Sequence, residues 1–274
     1  METFRLDRII ESALAEDDVF DDPVGGALER IEGKAEVIAE EEAVFCGGVL
    51  IPRVFSLIDE RVSVTLSAGE GETVKPGRVV AVLEGPASSL LRGERVSLNF
   101  IQKLSGIATL TSRFVRAVEG TKAKICDTRK TTPGLRFLEK YAVRCGGGVN
   151  HRFSLSDGIL IKENAIRLFG SVKEAVRKVR ERGHHLLRVE VEVESLKELE
   201  EALDAGVDAV LLDNMSPREV RKAVEIVGGR ALVEASGGIT LENVRQYAEA
   251  GVDLISVGAL THSAPSVSFT MEVS

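Results

Sequence analysis

Residues 196–215 read LKELEEALDAGVDAVLLDNM, and residues 241–260 read LENVRQYAEAGVDLISVGAL; the two stretches align without a gap. Each passes from an amphipathic helical pattern through Ala-Gly-Val-Asp into a short apolar run that is typical of a buried strand. Tandem units of this kind predict a parallel sheet and favour a barrel. The alignment places Asp213 opposite Gly258, both at predicted strand ends, where the loops of a barrel converge. We predict a functional role for Asp213, the alternative being that it caps the next helix.

The same alternation of strands and helices extends over the whole second half of the chain. The predicted strands are residues 123–127, 158–162, 186–193, 209–213, 231–236 and 254–259. The predicted helices are residues 134–144, 171–182, 195–205, 216–227 and 240–250. Several of the strands are apolar throughout, as parallel strands covered on both faces are. The pattern therefore predicts an α/β barrel or a doubly wound sheet, and the repeat favours the barrel.

The first part of the chain has a different, α+β pattern. Strand-like segments AEVIAEEEAVFCGG (35–48), VSVTLSAGE (62–70) and VVAVLEGPA (79–87) are separated by Gly and Pro turns. Residues 5–15 and 49–58 have helical spacing, and a longer helical pattern over 92–118 is interrupted at Gly106. We predict one domain over residues 1–112 and a barrel domain over 113–263, with the tail 264–274 packing back on the first domain.

Composition excludes several classes of protein. The 274 residues are 44% hydrophobic and 28% charged, and 35 basic against 43 acidic residues give a net charge of −8, which argues against a general nucleic-acid binder. No apolar run approaches the roughly 20 residues of a membrane span. Cys46, Cys126 and Cys145 are too scattered for a disulfide framework and form no Cys-x-x-Cys zinc motif. We expect a reduced, cytoplasmic enzyme without a membrane or nucleic-acid partner.

The charge is distributed unevenly along the chain. Residues 1–45 carry 14 acidic and 4 basic side chains, which we interpret as solvated surface. Residues 124–162 carry 8 basic and 3 acidic side chains, interleaved with Gly, Pro and apolar residues. A folded scaffold that gathers these cations, without stacked aromatics, favours a small polyanionic ligand over nucleic acid.

Glycines follow two consecutive predicted strands. ALVEAS (231–236) leads into Gly237 and Gly238, and LISVGA (254–259) contains Gly258. Glycines leave backbone N–H groups open to an anion, and two adjacent late loops form the common phosphate site of barrels. The same glycines would also suit tight turns, but the adjacent pair favours a phosphate site.

Cations and carboxylates follow the other predicted strands. Arg129 and Lys130 come directly after the strand at 123–127, Lys162 ends the next strand, and GGGVNHR (146–152) adds His151 and Arg152. Arginine and lysine at one rim would repel each other without an anionic ligand. Glu190, Glu192 and Glu194 alternate along one strand and so share a face. Glu192 and Asp213 could bind Mg²⁺ or sugar hydroxyls, or could form salt bridges with the basic residues.

A long, ordered set of motifs resembles one family. The chain resembles the quinolinate phosphoribosyltransferase family in the motifs DTRKTTPGLRFLEKYAVRCGGGVNHRFSLSDGILIKEN (127–164), EVEVES (190–195), LLDNMSP (211–217), EASGGIT (234–240) and ISVGALTHS (255–263). The stretch LEGPASSLLRGERVSLNFIQKLSGIAT (83–109) extends the resemblance into the first domain. The resemblance spans roughly residues 40–265. The resemblance implies an N-terminal α/β sandwich, an open or incomplete barrel of about six parallel strands, and a homodimer or larger assembly with active sites shared between subunits.

The resemblance also implies roles for particular residues. The residues implied to bind quinolinate are Arg95 (donated by the neighbouring subunit), Arg129, Lys130, Thr131, His151, Arg152 and Lys162. The residues implied to bind the phosphoribosyl group and its phosphate are Glu192, Asp213, Ser236, Gly237, Gly238, Ser256, Val257 and Gly258. The residues implied to be catalytic are Lys130, Lys162, Glu192 and Asp213, and Mg²⁺ would be held, directly or indirectly, by Glu192 and Asp213.

The resemblance implies transfer of a phosphoribosyl group from phosphoribosyl pyrophosphate (PRPP) to quinolinate with loss of CO₂, giving nicotinate mononucleotide for NAD synthesis. Three alternatives stay open from the residues. One is the related protein of molybdate-transport operons, another is a non-catalytic phosphometabolite sensor, and the third is a sugar-phosphate isomerase. A sensor is expected to lose Glu192, Asp213 or part of the basic set, and an isomerase does not need five cations.

Overall fold

The computed structural model describes residues 3–28 and 30–274, with the side chain of Thr3 excepted. They form two compact units. The first contains the described residues up to Ser112 together with Thr131–Gly147 and Thr261–Ser274, and the second contains Arg113–Lys130 and Gly148–Leu260. The predicted boundaries lie between residues 112 and 113 and between residues 263 and 264. In the structure, segment 131–147 groups with the first unit, where buried Glu139 pairs with Lys103 at 3.1 Å.

The first unit contains two antiparallel sheets and the helices that cover them. Its strands are β1 (Glu32–Ala39), β2 (Ala43–Val44), β3 (Ser63–Leu66), β4 (Thr73–Val74), β5 (Val79–Pro86) and the C-terminal β12 (Phe269–Val273). The larger sheet has the order β12-β1-β5-β3, and β2 pairs with β4. Phe269 of the tail lies opposite Ala39 in the β1–β12 ladder, so the end of the chain completes this sheet.

The first unit also contains α-helices. They are α1 (Thr3–Glu16), α2 (Pro23–Ala27), α3 (Ile51–Ile58), α4 (Ala87–Ala117), whose last turn belongs to the second unit, and α5 (Arg136–Cys145). Of these, α3 and α4 pack against its sheet. Phe55 of α3 and Leu90 and Ile101 of α4 share one fully buried cluster with Val37 and Leu83 of the strands. Helices therefore pack on the sheet in two layers, and the expected N-terminal α/β sandwich is confirmed.

Helix α4 does not break at Gly106, so the predicted interruption is wrong. The helix is continuous over Ala87–Ala117. A Cβ atom at position 106 would lie 2.0 Å from the carbonyl oxygen of Pro265. Gly106 therefore serves a close approach of the C-terminal segment to the helix, and regular hydrogen bonding tolerates a glycine at a cost of about 1 kcal/mol.

The second unit is built on a parallel sheet of six strands. They are β6 (Lys124–Cys126), β7 (Ile159–Ile161), β8 (Val189–Val193), β9 (Ala209–Asp213), β10 (Leu232–Ser236) and β11 (Leu254–Ser256). Their order is β6-β11-β10-β9-β8-β7, and all pairs are parallel. Among the described residues β6 and β7 each pair with one strand of this sheet, so the barrel is open. The predicted open barrel of six parallel strands is confirmed.

Short helices alternate with these strands. They are α6 (Glu163–Phe169), α7 (Val172–Arg182), α8 (Leu196–Asp204), α9 (Pro217–Val227), α10 (Val244–Glu249) and α11 (Ala259–His262), the last of which runs into the first unit. Helix α6 was not predicted, because it buries no residue and therefore has no apolar stripe to reveal it. Helices α7, α8 and α9 each begin at a serine whose side chain caps the first turn. At α9, Ser216 and Glu219 form a complete capping box.

The repeated Ala-Gly-Val-Asp has a physical explanation in the sheet. Asp208 accepts a hydrogen bond from the backbone N–H of Val189 at 2.8 Å, and Asp253 accepts one from the N–H of Val233 at 2.9 Å. Each aspartate thus ties the loop before its strand to the beginning of the neighbouring strand. The repeat marks the end of the barrel opposite the strand ends that carry Asp213 and Ser236.

Within the described part of the chain, none of the helices has both the length and the apolar character needed to cross a bilayer.

Candidate active site

A pocket of about 350 Å³ lies in the second unit at the carboxyl ends of its strands. Its wall combines cations, carboxylates and hydroxyls with two leucines. The lining residues are Thr128, Arg129, Lys130, His151, Arg152, Leu160, Lys162, Glu192, Leu211, Asp213, Glu234, Ser236 and Ser256. This composition suits a polar ligand that carries several negative charges.

Four cations of the pocket come from two strand ends and one loop. Arg129 and Lys130 follow β6, Lys162 follows β7, and Arg152 lies in the loop before β7. Arg152 donates a hydrogen bond from Nη1 to the carbonyl oxygen of Gly158 at 2.7 Å. Burial and the positive charge of Arg129 lower the pKa of Arg152, against a smaller opposing effect of Glu190. The pocket therefore holds Arg152 in an environment that an anion would stabilise.

Glu192 and Asp213 lie at the ends of β8 and β9. The Glu192 side chain is only 13% exposed and pairs with the ammonium group of Lys162. Asp213 accepts a hydrogen bond from the side-chain amide of Asn214 at 2.7 Å. Of the alternatives raised by the sequence, the salt bridge from Glu192 to the basic set is therefore observed, and the carboxylates of Glu192 and Asp213 both line the same pocket.

A second carboxylate pair surrounds the imidazole of His151. Its Nε2 lies 3.2 Å from Oε2 of Glu190 and 3.6 Å from Oε1 of Glu234. Because Nδ1 accepts the backbone N–H of Arg152 at 2.7 Å, the ring proton belongs on Nε2, facing the carboxylates. Glu234 also accepts a hydrogen bond from the hydroxyl of Ser256. Burial and the nearby charge of Glu190 raise the pKa of Glu234 to about 7.

The loop that carries His151 is held by Asp127, which is fully buried after β6. Its carboxylate accepts hydrogen bonds from the side-chain amide of Asn150 and from the backbone N–H of His151 at 2.9 Å. Two hydrogen bonds to one buried carboxylate fix the course of the chain just before Arg152. Asp127 therefore acts as a positioning residue for both His151 and Arg152.

The two glycine-containing loops differ in geometry. Gly237 and Gly238 both have left-handed backbone conformations, with φ of 89° and 60°. A Cβ atom at Gly237 would lie 2.3 Å from Oδ1 of Asn214, so only glycine fits there. In the other loop, Val257 is buried and donates its N–H to the carbonyl oxygen of Cys126 at 2.9 Å. Ser256 lines the pocket, and Gly258 starts the turn that follows β11.

Two residues predicted for the site belong to the first unit. Arg95 lies on α4, and Thr131 accepts a hydrogen bond from Nε of Arg136 at 3.0 Å. The other predicted side chains that line the pocket are Arg129, Lys130, His151, Arg152, Lys162, Glu192, Asp213, Ser236 and Ser256.

Sequence reasoning missed Glu234 and Asp127 as members of the site. Glu234 is the central residue of the otherwise apolar strand β10, and this was an available signal, because a carboxylate is buried in a sheet only with partners. Asp127 had no comparable signal, since an aspartate at a strand end is also common as a surface cap. Only the folded loop brings it beneath Asn150 and His151.

An open parallel barrel with cations, carboxylates and glycine loops at its strand ends defines an α/β-barrel enzyme for anionic substrates. Residues 18–105 match the family described as quinolinate phosphoribosyl transferase, N-terminal domain, and residues 107–272 match its C-terminal domain. The two matches together cover most of the chain.

Individual relatives agree with this family. The probable nicotinate-nucleotide pyrophosphorylase [carboxylating] of Bacillus subtilis is 50% identical over 240 residues, which cover 88% of this chain and 83% of that protein. The human nicotinate-nucleotide pyrophosphorylase [carboxylating] is 38% identical over 88% of this chain and 82% of its own length. The crystal structure of NadC from Streptococcus pyogenes has a TM-score of 0.96 at 41% identity and covers 100% of this chain and 98% of that one. This chain belongs to the quinolinate phosphoribosyl transferase family and is an enzyme.

Proposed function

We propose that this enzyme transfers the phosphoribosyl group of PRPP to quinolinate and releases pyrophosphate and CO₂, giving nicotinate mononucleotide in the de novo synthesis of NAD. One observation carries the proposal: a single pocket gathers four cations, the carboxylates Glu192 and Asp213, and the serines Ser236 and Ser256, which precede the glycine loops. A pyridine dicarboxylate and a sugar polyphosphate together require that combination. The similarity to the probable enzyme of Bacillus subtilis and to the human enzyme, both named as carboxylating nicotinate-nucleotide pyrophosphorylases, supports the same reaction.

Quinolinate has two adjacent carboxylates on one ring. We assign their recognition to Arg129, Arg152 and Lys162, with Lys130, Thr131 and His151 completing that side. Arginine offers a planar fork of donors that matches a carboxylate, and the partly buried guanidinium of Arg152 gains most from a bound anion. His151 directs its Nε2 proton toward Glu190 and Glu234, so it orients these two carboxylates.

The phosphoribosyl side of the pocket has carboxylates and hydroxyls. We assign the ribose hydroxyls to Glu192 and Asp213, and the 5′-phosphate to the loops with Ser236, Gly237 and Gly238 and with Ser256, Val257 and Gly258. As pyrophosphate leaves, positive charge develops on the ribose, and the two carboxylates stabilise that charge. Lys130 and Lys162 stabilise the negative charge that develops on the leaving group. Holding the ring nitrogen against the anomeric carbon lowers the barrier further.

Loss of CO₂ follows from the product of this transfer. Once the ring nitrogen is bonded to the ribose it is positively charged. It therefore stabilises the electron pair that departing CO₂ leaves on the neighbouring ring carbon, and that carbon then takes up a proton from water. The reaction therefore needs no separate cofactor for decarboxylation. Side chains that bind the carboxylates hold the substrate, and the pyridinium itself is the electron sink.

We propose Mg²⁺ as the ion that accompanies PRPP. The available donors fit it, because Glu192 and Asp213 offer hard carboxylate oxygens in one pocket, and Mg²⁺ usually binds through one or two carboxylates plus substrate phosphates. When bound, the ion neutralises charge on the pyrophosphate. Lys162, which pairs with Glu192, would exchange that partner for the phosphates.

We also propose a homodimer or larger assembly in which Arg95 reaches the site of a neighbouring subunit, and a cytoplasmic location. Three free cysteines suit a reducing compartment. If the site is shared, a chain with Arg95→Ala mixed with a chain with Asp213→Ala should recover activity in the hybrid dimers. Each variant alone should be inactive, and absence of recovery in a verified mixed assembly would contradict the donation.

The reaction is tested by release of labelled CO₂. Quinolinate labelled in its 2-carboxylate, incubated with PRPP, Mg²⁺ and the enzyme, is expected to release one CO₂ for each nicotinate mononucleotide formed. No release would exclude the proposed activity and revive the alternatives. A sensor would bind the ligands without turnover, an isomerase would bind a sugar phosphate but not quinolinate, and the molybdate-operon protein would turn over a different substrate.

The role of Arg152 is tested by its replacement with alanine. Arg152→Ala should raise the KM for quinolinate about 10- to 100-fold, because a charge-assisted hydrogen bond contributes about 1.5–3 kcal/mol. The KM for PRPP should change much less. Arg218→Ala, at an exposed position of α9, is the matched control and should leave both constants unchanged. Equal losses for both substrates in Arg152→Ala would contradict the assignment.

A further inference from the structure

Two cysteines and a glutamate of the first unit converge away from the pocket just described. Cys46 follows β2, Glu70 lies in the turn between β3 and β4, and Cys145 is the last residue of α5. The two sulfur atoms and one carboxylate oxygen all lie within 4.8 Å of one another. Cys46 is fully buried, whereas Glu70 and Cys145 are half-buried. We propose that Cys46, Glu70 and Cys145 form a binding site for a thiophilic divalent cation of the Zn²⁺ type.

The distance between the ligand atoms of Cys145 and Glu70 matches tetrahedral zinc. Zinc–sulfur bonds of about 2.3 Å and zinc–oxygen bonds of about 2.1 Å at the tetrahedral angle place sulfur and oxygen about 3.6 Å apart. Sγ of Cys145 and Oε2 of Glu70 are 3.7 Å apart. One ion between them therefore requires little movement of either side chain. Two thiolates and a carboxylate select Zn²⁺ over Mg²⁺, since thiolate is a soft ligand.

The surrounding backbone orients two of the three ligands. Glu70 accepts hydrogen bonds from the N–H groups of Gly47 at 3.0 Å and Val49 at 3.1 Å, so both of its oxygens have fixed directions. The backbone of Cys46 is held by the hydroxyl of Ser105, which accepts a hydrogen bond from the N–H of Cys46 at 2.9 Å and donates one to its carbonyl oxygen at 3.1 Å. Such outer partners are what a metal site needs to keep its ligands in place.

Close packing brings the third ligand to the other two. Gly71, with φ of 82°, lies beside the end of α5, where a Cβ atom would be 3.1 Å from the carbonyl oxygen of Cys145. Three protein ligands leave the fourth tetrahedral position to water, and the exposed edges of Glu70 and Cys145 give the ion a path from solvent. The site joins three distant segments of the first unit, so a bound ion should stabilise that unit.

The sequence alone argued against zinc because the cysteines form no Cys-x-x-Cys motif. Cys46 and Cys145 are 99 positions apart, and motif spacing detects only ligands that are close in the chain. The site is independent of the proposed reaction, because none of its three ligands lines the pocket of the second unit.

Co²⁺ is the spectroscopic probe that tests the site. The full chain, kept reduced and stripped of metal, is titrated with Co²⁺ while near-ultraviolet absorption from thiolate-to-cobalt charge transfer is recorded. We expect saturation at one Co²⁺ per chain, loss of the band on addition of one equivalent of Zn²⁺, and a higher melting temperature with Zn²⁺. The band reports thiolate ligation only, so carboxylate or histidine binding elsewhere does not contribute to it.

Three variants make the test specific. Cys145→Ser and Glu70→Gln should each weaken Co²⁺ binding at least about 10-fold, since loss of even an outer-shell partner typically costs 10–100-fold. Cys126→Ser, which removes the cysteine of β6, should keep the wild-type band. Circular dichroism checks that each variant folds. If Cys126→Ser fails to fold because position 126 is buried, the variants at the half-buried positions Cys145 and Glu70 still decide the test. Absence of the band in reduced wild-type protein, or an unchanged titration in both ligand variants, would overturn the proposal.

Discussion

Glu234→Gln should make the ligand-free protein more stable at alkaline pH but not at acidic pH. Glu234 is almost fully buried in β10, beside Glu190, and its pKa is raised from 4.5 to about 7 by burial and by that neighbouring charge. Glutamine has the shape of the protonated side chain and can still accept the hydroxyl hydrogen bond of Ser256. The substitution thus removes a charge that the folded protein accommodates poorly.

The sign and size of the effect follow from proton linkage. Between pH 4.5 and pH 7 folded Glu234 retains a proton that the unfolded chain has lost. Stability therefore falls as pH rises through this window, by up to about 1.4 kcal/mol for each pH unit, and the full cost is present above pH 7. The rise in the pKa of Glu234 from 4.5 to about 7 therefore corresponds to a loss of about 3 kcal/mol in folding stability. Glu234→Gln removes this contribution, so its advantage should be about 2–3 kcal/mol larger at pH 8 than at pH 5.

Urea unfolding at pH 5 and pH 8, at fixed protein concentration and without ligands, measures this difference. Glu200→Gln, at an exposed position of α8, is the matched control and should show no such growth between the two pH values. An equal effect of Glu234→Gln at both pH values would refute the reasoning, because Glu234 would then be ionised in the folded protein throughout. A destabilising effect at pH 8 would mean that the charge is needed by His151.

Two glycine substitutions test packing. Gly237→Ala should raise the KM for PRPP at least about 10-fold, because its Cβ atom would meet Asn214 at 2.3 Å. Gly238→Ala shares the left-handed backbone but has open space around it, so it should have a much smaller effect in the same kinetic assay. Equal effects would contradict the steric argument. Gly106→Ala should lower the melting temperature. Helix propensity alone predicts a gain in stability of about 1 kcal/mol, but overpacking against Pro265 costs about 1–3 kcal/mol. A higher melting temperature in calorimetry would mean that the C-terminal segment moves aside.

Sequence reasoning located the elements of the second unit well where periodicity is strong. The predicted strand at 209–213 and the helix at 216–227 agree with β9 (Ala209–Asp213) and α9 (Pro217–Val227) almost residue for residue. Periodicity did not predict α6, which is short and exposed. It also predicted a break at Gly106, where the glycine instead allows the close approach of Pro265 to a continuous helix. Local pattern is informative only when the element buries a continuous apolar face.

The candidate site shows the same division. Cations and carboxylates at strand ends were visible in the sequence, because parallel strands bring their carboxyl ends to one edge whatever their order. The pairing of Lys162 with Glu192, and the acidic surroundings of His151, depend on which strands are neighbours and were not visible. Glu234 and Asp127 entered the site only with the structure.

By itself the sequence determined the two kinds of architecture, and it predicted a polyanionic ligand at the carboxyl edge of the barrel, since these follow from periodicity and from charge at strand ends. Tertiary structure alone decided the strand order, the register of β12 on β1, the raised pKa of Glu234 and the meeting of Cys46 with Cys145. The physical reason is that contacts between distant residues depend on packing and burial. Those are properties of the folded chain, and no local pattern of residues encodes them.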